Sequence, residues 1–266
     1  MYGYGNSMFL ATNGILARSS GGVDPDAQAF ITAAGITDPT QQAAIITLVT
    51  DLKGYSIWTK FKAIYPIVGG VASAHAVNLK TPGTYNLTFA VGWTHSANGM
   101  TPSVTYANTA LIPNSTLTIN STHISYYSRT NVAEGVYDIG TQTAGIDYLA
   151  LNARNPVNNF RVLVNDGGVG DFANSDSRGL FVANRTGAIV RNSFVNGVKK
   201  LNDTQASVSR STNAIYLGAL NNAGVAALYS TKQCAFASIG DGLTDTDAAN
   251  FYTAVNAYQV ALSRNV

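Results

Sequence analysis

From Trp58 onward the chain is a succession of short runs rich in Val, Ile, Thr, Tyr and Phe, each cut off by Gly, Asn or Pro. Phe61, Ala63, Tyr65 and Ile67 alternate with other residues. Further runs follow at Tyr85–Val91, Ser115–Ser128, Tyr148–Ala153, Phe160–Val164, Leu180–Ala183, Ala188–Val195, Ala214–Leu217 and Cys234–Ile239. Runs of this length between turn residues read as β-strands. Asn196-Gly197, set between apolar residues, is a strong short-range hairpin signal. Many short strands with frequent turns argue a sandwich or a barrel. The composition agrees. Charged residues make up 11% of the 266 residues, against about 25% in ordinary domains. Of 14 acidic residues, Glu134 is the one glutamate. Lys, Glu and Arg favour helices, whereas Thr, Val and Tyr favour strands.

Helices are expected only at the two ends of the described pattern. Asp24-Pro25 opens one, with Ala27, Phe30, Ile31 and Ala34 on one face and Gly35 at its end. Thr37 or Asp38 caps the next, Pro39 opens it, and Ile45, Leu48, Val49 and Leu52 form a stripe at helical spacing. Near the C-terminus Thr244 and Asp247 stand three apart, like a capping box with Asp in place of Glu. Ala248, Phe251, Val255, Tyr258 and Leu262 then share a face. The expected division is 1–23 as a docking segment, 24–57 as a helical subdomain, and 58–266 as a β-sandwich domain that includes the terminal helix.

Several function classes are disfavoured. A net charge of +2 and a longest basic run of Lys199-Lys200 give no basic stripe for nucleic acid. No apolar run is long enough for a membrane helix. Residues 1–22 lack the basic start and unbroken apolar stretch of a secretory signal. Their Met8, Phe9, Leu10, Ile15 and Leu16 need something to bury them, so the segment is expected to dock on another protein. Cys234 stands alone, which excludes a disulfide framework and reads as a small buried hydrophobe. His75, His95 and His123 have no metal-ligand spacing and read as surface or turn residues. Asp241, Asp245 and Asp247 suggest calcium, but capping and dipole roles at the last helix explain them better. No metal and no cofactor are expected.

The run NSFVNGVKK (192–200) is similar to the strand–turn–strand of concanavalin-A-like jelly rolls. The strand Ile215-Tyr216-Leu217-Gly218 follows, as in that family. FASIGDGLTDTD (236–247), leading into a helix with Phe251, Tyr252 and Val255, resembles the close of laminin-G-like domains. FITAAGITDPTQQAAI (30–45), STHISYYSRTN (121–131) and CAFASIGDGLTD (234–245) resemble segments of bacteriophage tail-fibre, head-fibre and spike proteins. The resemblance implies an antiparallel concanavalin-A-like β-sandwich, or jelly roll, with a short N-terminal helical pair and a C-terminal helix. It also implies a virion component, joined to other virion proteins through its N-terminal segment, forming a homo-oligomer such as a trimer.

Enzymes of this fold that cut glucans carry Glu-x-Asp-x-x-Glu, which a chain with one glutamate lacks. Glycoside hydrolysis needs two carboxylates flanking the bond. Glu134 lies in NVAEGVYD, and an Asp138–Asp147 pair stays open. The chain is therefore expected to be non-enzymatic, with no catalytic residues, and to attach to a host surface. The alternative is a glycan-binding module, and a polysaccharide depolymerase is a third reading. Sugar binding would use exposed rings, and the candidates are Trp93, His95 and Tyr106, with one of the Tyr126-Tyr127 pair.

Overall fold

The computed structural model describes residues 22–266, so the proposed docking residues Met8, Phe9, Leu10, Ile15 and Leu16 lie outside the described residues. Two sheets face each other. The first runs, edge to edge, through Val198–Asp203, Val190–Val195, Gly179–Gly187, Thr122–Ser128, Cys234–Gly240, Gly99–Pro102 and Trp93–Ser96. Phe61–Tyr65 also pairs with Cys234–Gly240. The second runs through Gly170–Ala173, Asn159–Asp166, Tyr148–Asn152, Ile139–Gln142, Tyr216–Leu217, Ala107–Asn108 and Thr88–Phe89. Pairing between strands is antiparallel apart from Leu220–Asn222, which lies parallel to Ile139–Gln142. The expected antiparallel β-sandwich with an N-terminal helical pair and a C-terminal helix is what the chain forms.

The local signals act as read. Asp24 Oδ1 accepts from Asp26 N at 2.9 Å, starting the helix Pro25–Ala34, and Gly35 ends it in the left-handed region at φ 63°. Asp38, rather than Thr37, caps Pro39–Gly54. The terminal helix Asp245–Ala261 begins with a complete capping box between Thr244 and Asp247. Asn196 and Gly197 both have positive φ, 50° and 74°, as a two-residue turn of the hairpin type requires.

Two apolar cores stack on the first sheet. Between the sheets lie Ile124, Tyr126, Leu149, Leu151, Phe160, Val162, Phe181, Leu217, Ala237 and Ile239. On the sheet's outer face lie Tyr127, Leu180, Val182, Phe194 and Phe236, covered by Phe30, Ile45, Leu48, Val49 and Leu52 of the helical pair and by Phe251, Val255 and Tyr258 of the terminal helix. The order is therefore helices, sheet, sheet. Both Tyr126 and Tyr127 are buried, one in each core, so neither is the exposed ring that the sequence suggested.

Phe251 shows how the outer core is held. Its ring centroid is 5.1 Å from that of Phe61 and 5.8 Å from that of Phe236, within the range of favourable aromatic pairs. Phe251→Ala is expected to lower the stability of the fold by about 3–5 kcal/mol, read as a fall in the urea midpoint with an unchanged slope.

Candidate functional site

A cleft of about 330 Å³ opens at one end of the second sheet. Its wall and floor come from three places in the chain. Tyr137 stands just before the strand Ile139–Gln142, and its backbone N donates to Leu228 O at 3.1 Å. Asn152 ends the strand Tyr148–Asn152. Asn155, Pro156 and Val157 form the turn into Asn159–Asp166, and Arg161 rises from that strand. Asn155 shapes the turn, since its Oδ1 accepts from Val157 N at 3.1 Å and Asn159 N at 2.9 Å. Leu228 and Val157 are exposed at the rim, Val157 at 71%. Leu228 is held at φ 53°, a conformation that side-chain-bearing residues adopt at a cost.

The polar groups of the cleft are fixed before any ligand arrives. Arg161 Nε and Nη2 bind both oxygens of Asp171, at 2.9 and 2.8 Å. That pairing raises the Arg161 pKa and holds the Asp171 carboxyl below its ordinary range. Burial pushes the Tyr137 phenol up, opposed by the nearby Arg161 guanidinium. At neutral pH its hydroxyl is thus a hydrogen-bond donor. Apolar rim residues, a half-buried ring and fixed donors can grip a ring that carries hydroxyls on one edge and C–H groups on its face.

Beneath the cleft lies a second constellation. Lys232 Nζ is buried and reaches Glu134 Oε1 at 3.0 Å, Asp138 Oδ1 at 3.1 Å and Asn152 Oδ1 at 3.4 Å. Ser230 Oγ lies 2.6 Å from Asp138 Oδ1 and 3.1 Å from Glu134 Oε1. Burial pushes Glu134 up, but Lys232 and the Thr231 hydrogen bonds bring it below the usual carboxylate range. The Asp138–Asp147 pair of the sequence is not one site. Asp138 joins this cluster, whereas Asp147 Oδ1 accepts from Thr143 N and Ala144 N at 2.8 and 3.0 Å and so closes a turn.

Trp93 and His95 form one aromatic cluster with Phe89, and Tyr106 forms another with Tyr216. Trp93 and His95 are two apart on the strand Trp93–Ser96 and so share a face. Both are half-buried, and Trp93 packs against the inter-sheet core. A β-carbon at Gly218 would come within 2.9 Å of the Trp93 ring. Phe89 touches both, with centroids 5.7 Å from Trp93 and 4.7 Å from His95. Tyr106 stacks on Tyr216 at 4.3 Å.

Two of the histidines depart from the surface reading. His75 and His123 are buried, because each finds a polar partner that a short sequence window does not display. His75 Nδ1 lies 2.9 Å from His95 Nδ1, and His123 Nδ1 lies 2.5 Å from Asp241 O. Burial pulls their pKa values down, to about 3 for His75 and about 4 for His123. Cys234 is buried and its thiol is pushed up to about 12. Asp241, Asp245 and Asp247 each pair with a different lysine. Among the described residues no three His, Cys, Asp or Glu side chains stand close enough to hold a metal ion.

No family model matches the chain, and no curated protein matches it. Solved structures do. A mutant Trypanosoma rangeli sialidase displaying trans-sialidase activity has a TM-score of 0.53 at 9% identity, over 82% of this chain and 39% of that one. This chain thus spans about two fifths of that enzyme's length, and the likeness is one of fold. Domain 4 of a GH43 extracellular arabinanase from Geobacillus stearothermophilus, solved with arabinotriose, has a TM-score of 0.46 at 11% identity, over 72% of this chain and 98% of that one. The CBM40 module of a Ruminococcus gnavus sialidase, bound to sialyllactose, has a TM-score of 0.36 at 16% identity, over 47% of this chain and 77% of that one.

The buried histidines set a pH dependence. Their folded pKa values lie below the unfolded value of 6.5, so below that pH the unfolded chain binds more protons and stability falls. Stability is expected to drop progressively from pH 6.5 to about 4, the folded value of His123. Urea denaturation across that range checks it, and His123→Gln is expected to flatten the slope.

Proposed function

We propose that this chain is a non-enzymatic, sugar-binding β-sandwich carried on a bacteriophage particle, where it contacts the host surface. The cleft carries the reading. It combines an apolar rim at Pro156, Val157 and Leu228 with the Tyr137 ring, the Arg161 guanidinium and the Asn155 amide. Ligand sites in general are concave and mostly apolar, with a few placed polar groups. Trp93 and His95, beside Phe89, are a second place where a sugar ring could stack, and Tyr106 on Tyr216 is a third.

The carboxylates support a role without catalysis. Glycoside cleavage needs an acid and a nucleophile or base facing across an open site. Asp138 is buried beside Lys232, Glu134 shares the same ammonium, and Asp171 is held by two nitrogens of Arg161. The attribution to a virion rests on the likeness of residues 30–45, 121–131 and 234–245 to phage structural proteins, and the attachment role is given to residues 1–23.

A glycan array with purified protein tests the site. Tyr137→Ala and Arg161→Ala are each expected to weaken binding at least about tenfold, the effect of one lost charged or aromatic contact. Trp93→Ala is expected to matter only if the cluster of Trp93, Phe89 and His95 takes the ligand. No binding by the parent protein at millimolar sugar would leave a purely architectural role. In a separate test, removing residues 1–22 is expected to leave the melting curve intact and to prevent incorporation into particles. Normal incorporation of the shortened chain would exclude docking by that segment.

A further inference from the structure

We infer that Lys232 and Asp138 condense into an intramolecular amide that joins the two sheets covalently. The side chains of both are fully buried, and Nζ stands 3.1 Å from Asp138 Oδ1. Held at that distance away from water, an amine and a carboxyl group meet at a very high effective concentration.

The neighbours supply what the reaction needs. Ala153 N donates to Asp138 Oδ2 at 2.7 Å, so a backbone donor is in place where negative charge develops as Nζ adds to Cγ. Glu134 Oε1 lies 3.0 Å from Nζ and can receive its proton. Ser230 Oγ lies between Glu134 Oε1, at 3.1 Å, and Asp138 Oδ1, at 2.6 Å. It links the proton acceptor to the oxygen that leaves. Glu134 is itself pinned by Thr231, whose N and Oγ1 each lie 3.0 Å from its carboxylate. Backbone bonds fix Lys232, with its N on Ser230 Oγ and its O accepting from the Tyr126 hydroxyl.

The step balances within the protein. The Lys232 ammonium and the Asp138 carboxylate are the reactants. Nζ forms a bond to Cγ, and the Cγ–Oδ1 bond breaks. Two protons pass from Nζ through Glu134 and Ser230 to the departing oxygen, which leaves as water, and Glu134 ends as it began. One positive and one negative buried charge disappear. The charge that remains is on Glu134, whose side chain is 15% exposed and keeps contact with solvent. That ordering selects Asp138 over Glu134 as the electrophile. Asn152 is the less favoured alternative, since its Oδ1 is farther from Nζ, at 3.4 Å, and already accepts from Arg154 N.

The bond would close a loop between residues 94 positions apart. Asp138 precedes the strand Ile139–Gln142 of the second sheet, and Lys232 precedes Cys234–Gly240 of the first. A tie at that point would keep the sandwich closed under pulling force. The inference does not depend on the sugar-binding reading.

Intact-mass measurement of the full chain, followed by tryptic mapping, tests it. The expected mass is one water below that of the sequence, with a pair of peptides joined through Asp138 and Lys232. Glu134→Gln and Lys232→Met are expected to give the full mass and no joined peptides. A folded parent protein of full mass after prolonged incubation at neutral pH overturns the proposal. So does a water lost without joined peptides, as from an aspartate turn. Loss of ammonia with joining through Asn152 would overturn the assignment to Asp138.

Discussion

Everything in this molecule is arranged around the paired strands Thr122–Ser128 and Cys234–Gly240, which are buried along their whole length. Neither face of this pair meets water, so each residue must choose one of two apolar layers. Tyr127 and Phe236 enter the layer under the helices. Tyr126, Ala237 and Ile239 enter the layer between the sheets. The strict two-residue alternation of a strand thus divides one short stretch of sequence between two cores. A one-residue slip would exchange the layers, and the terminal helix, the helical pair and the second sheet would all lose their footing.

The elements that sequence reasoning recovers are those whose cause is local. Asp24, Asp38 and Thr244 each bond a backbone N–H two or three residues away, and such caps are visible in a window of four residues. The Asn196-Gly197 turn is visible for the same reason. The strands Trp93–Ser96, Gly99–Pro102 and Leu220–Asn222 are not, because they are short and the last two carry Gly, Pro or Asn. They are strands only because a neighbour supplies the ladder. The expected run Tyr85–Val91 shrinks to Thr88–Phe89, and Ser115–Ser128 to Thr122–Ser128, where partners are available.

The sequence points to rings but not to the cleft. Trp93, His95 and Tyr106 stand out in the sequence as rings among polar residues, and the fold puts Trp93 and His95 beside Phe89 but Tyr106 against Tyr216. The cleft, however, is built from Tyr137, Asn155 and Arg161, which come from separate turns and strands and share no motif. Glu134 stands in NVAEGVYD with no basic residue in that stretch, and its partner Lys232 lies 98 positions away. No local pattern announces a contact made by folding a sheet closed.

The scarcity of charge has a structural counterpart. Among the described residues, every acid except Asp38, Asp51 and Asp147 lies within ion-pair distance of a lysine or arginine. The deepest group joins Asp166 to Arg185 at 2.7 Å and to Arg191 at 2.9 Å, with Asp203 beyond. A buried ion pair adds little over an apolar substitute, but losing one member costs several kcal/mol, about 3–5. Such pairs therefore specify which strands meet more than they add to stability. Asp166 sits on a strand of the second sheet, and Arg185 and Arg191 on strands of the first. Lys232, Glu134 and Asp138 repeat that pattern where the chain passes between the same two sheets. With so few charges overall, those at the sheet-to-sheet crossings fix register where apolar packing alone, indifferent to small slides, would not.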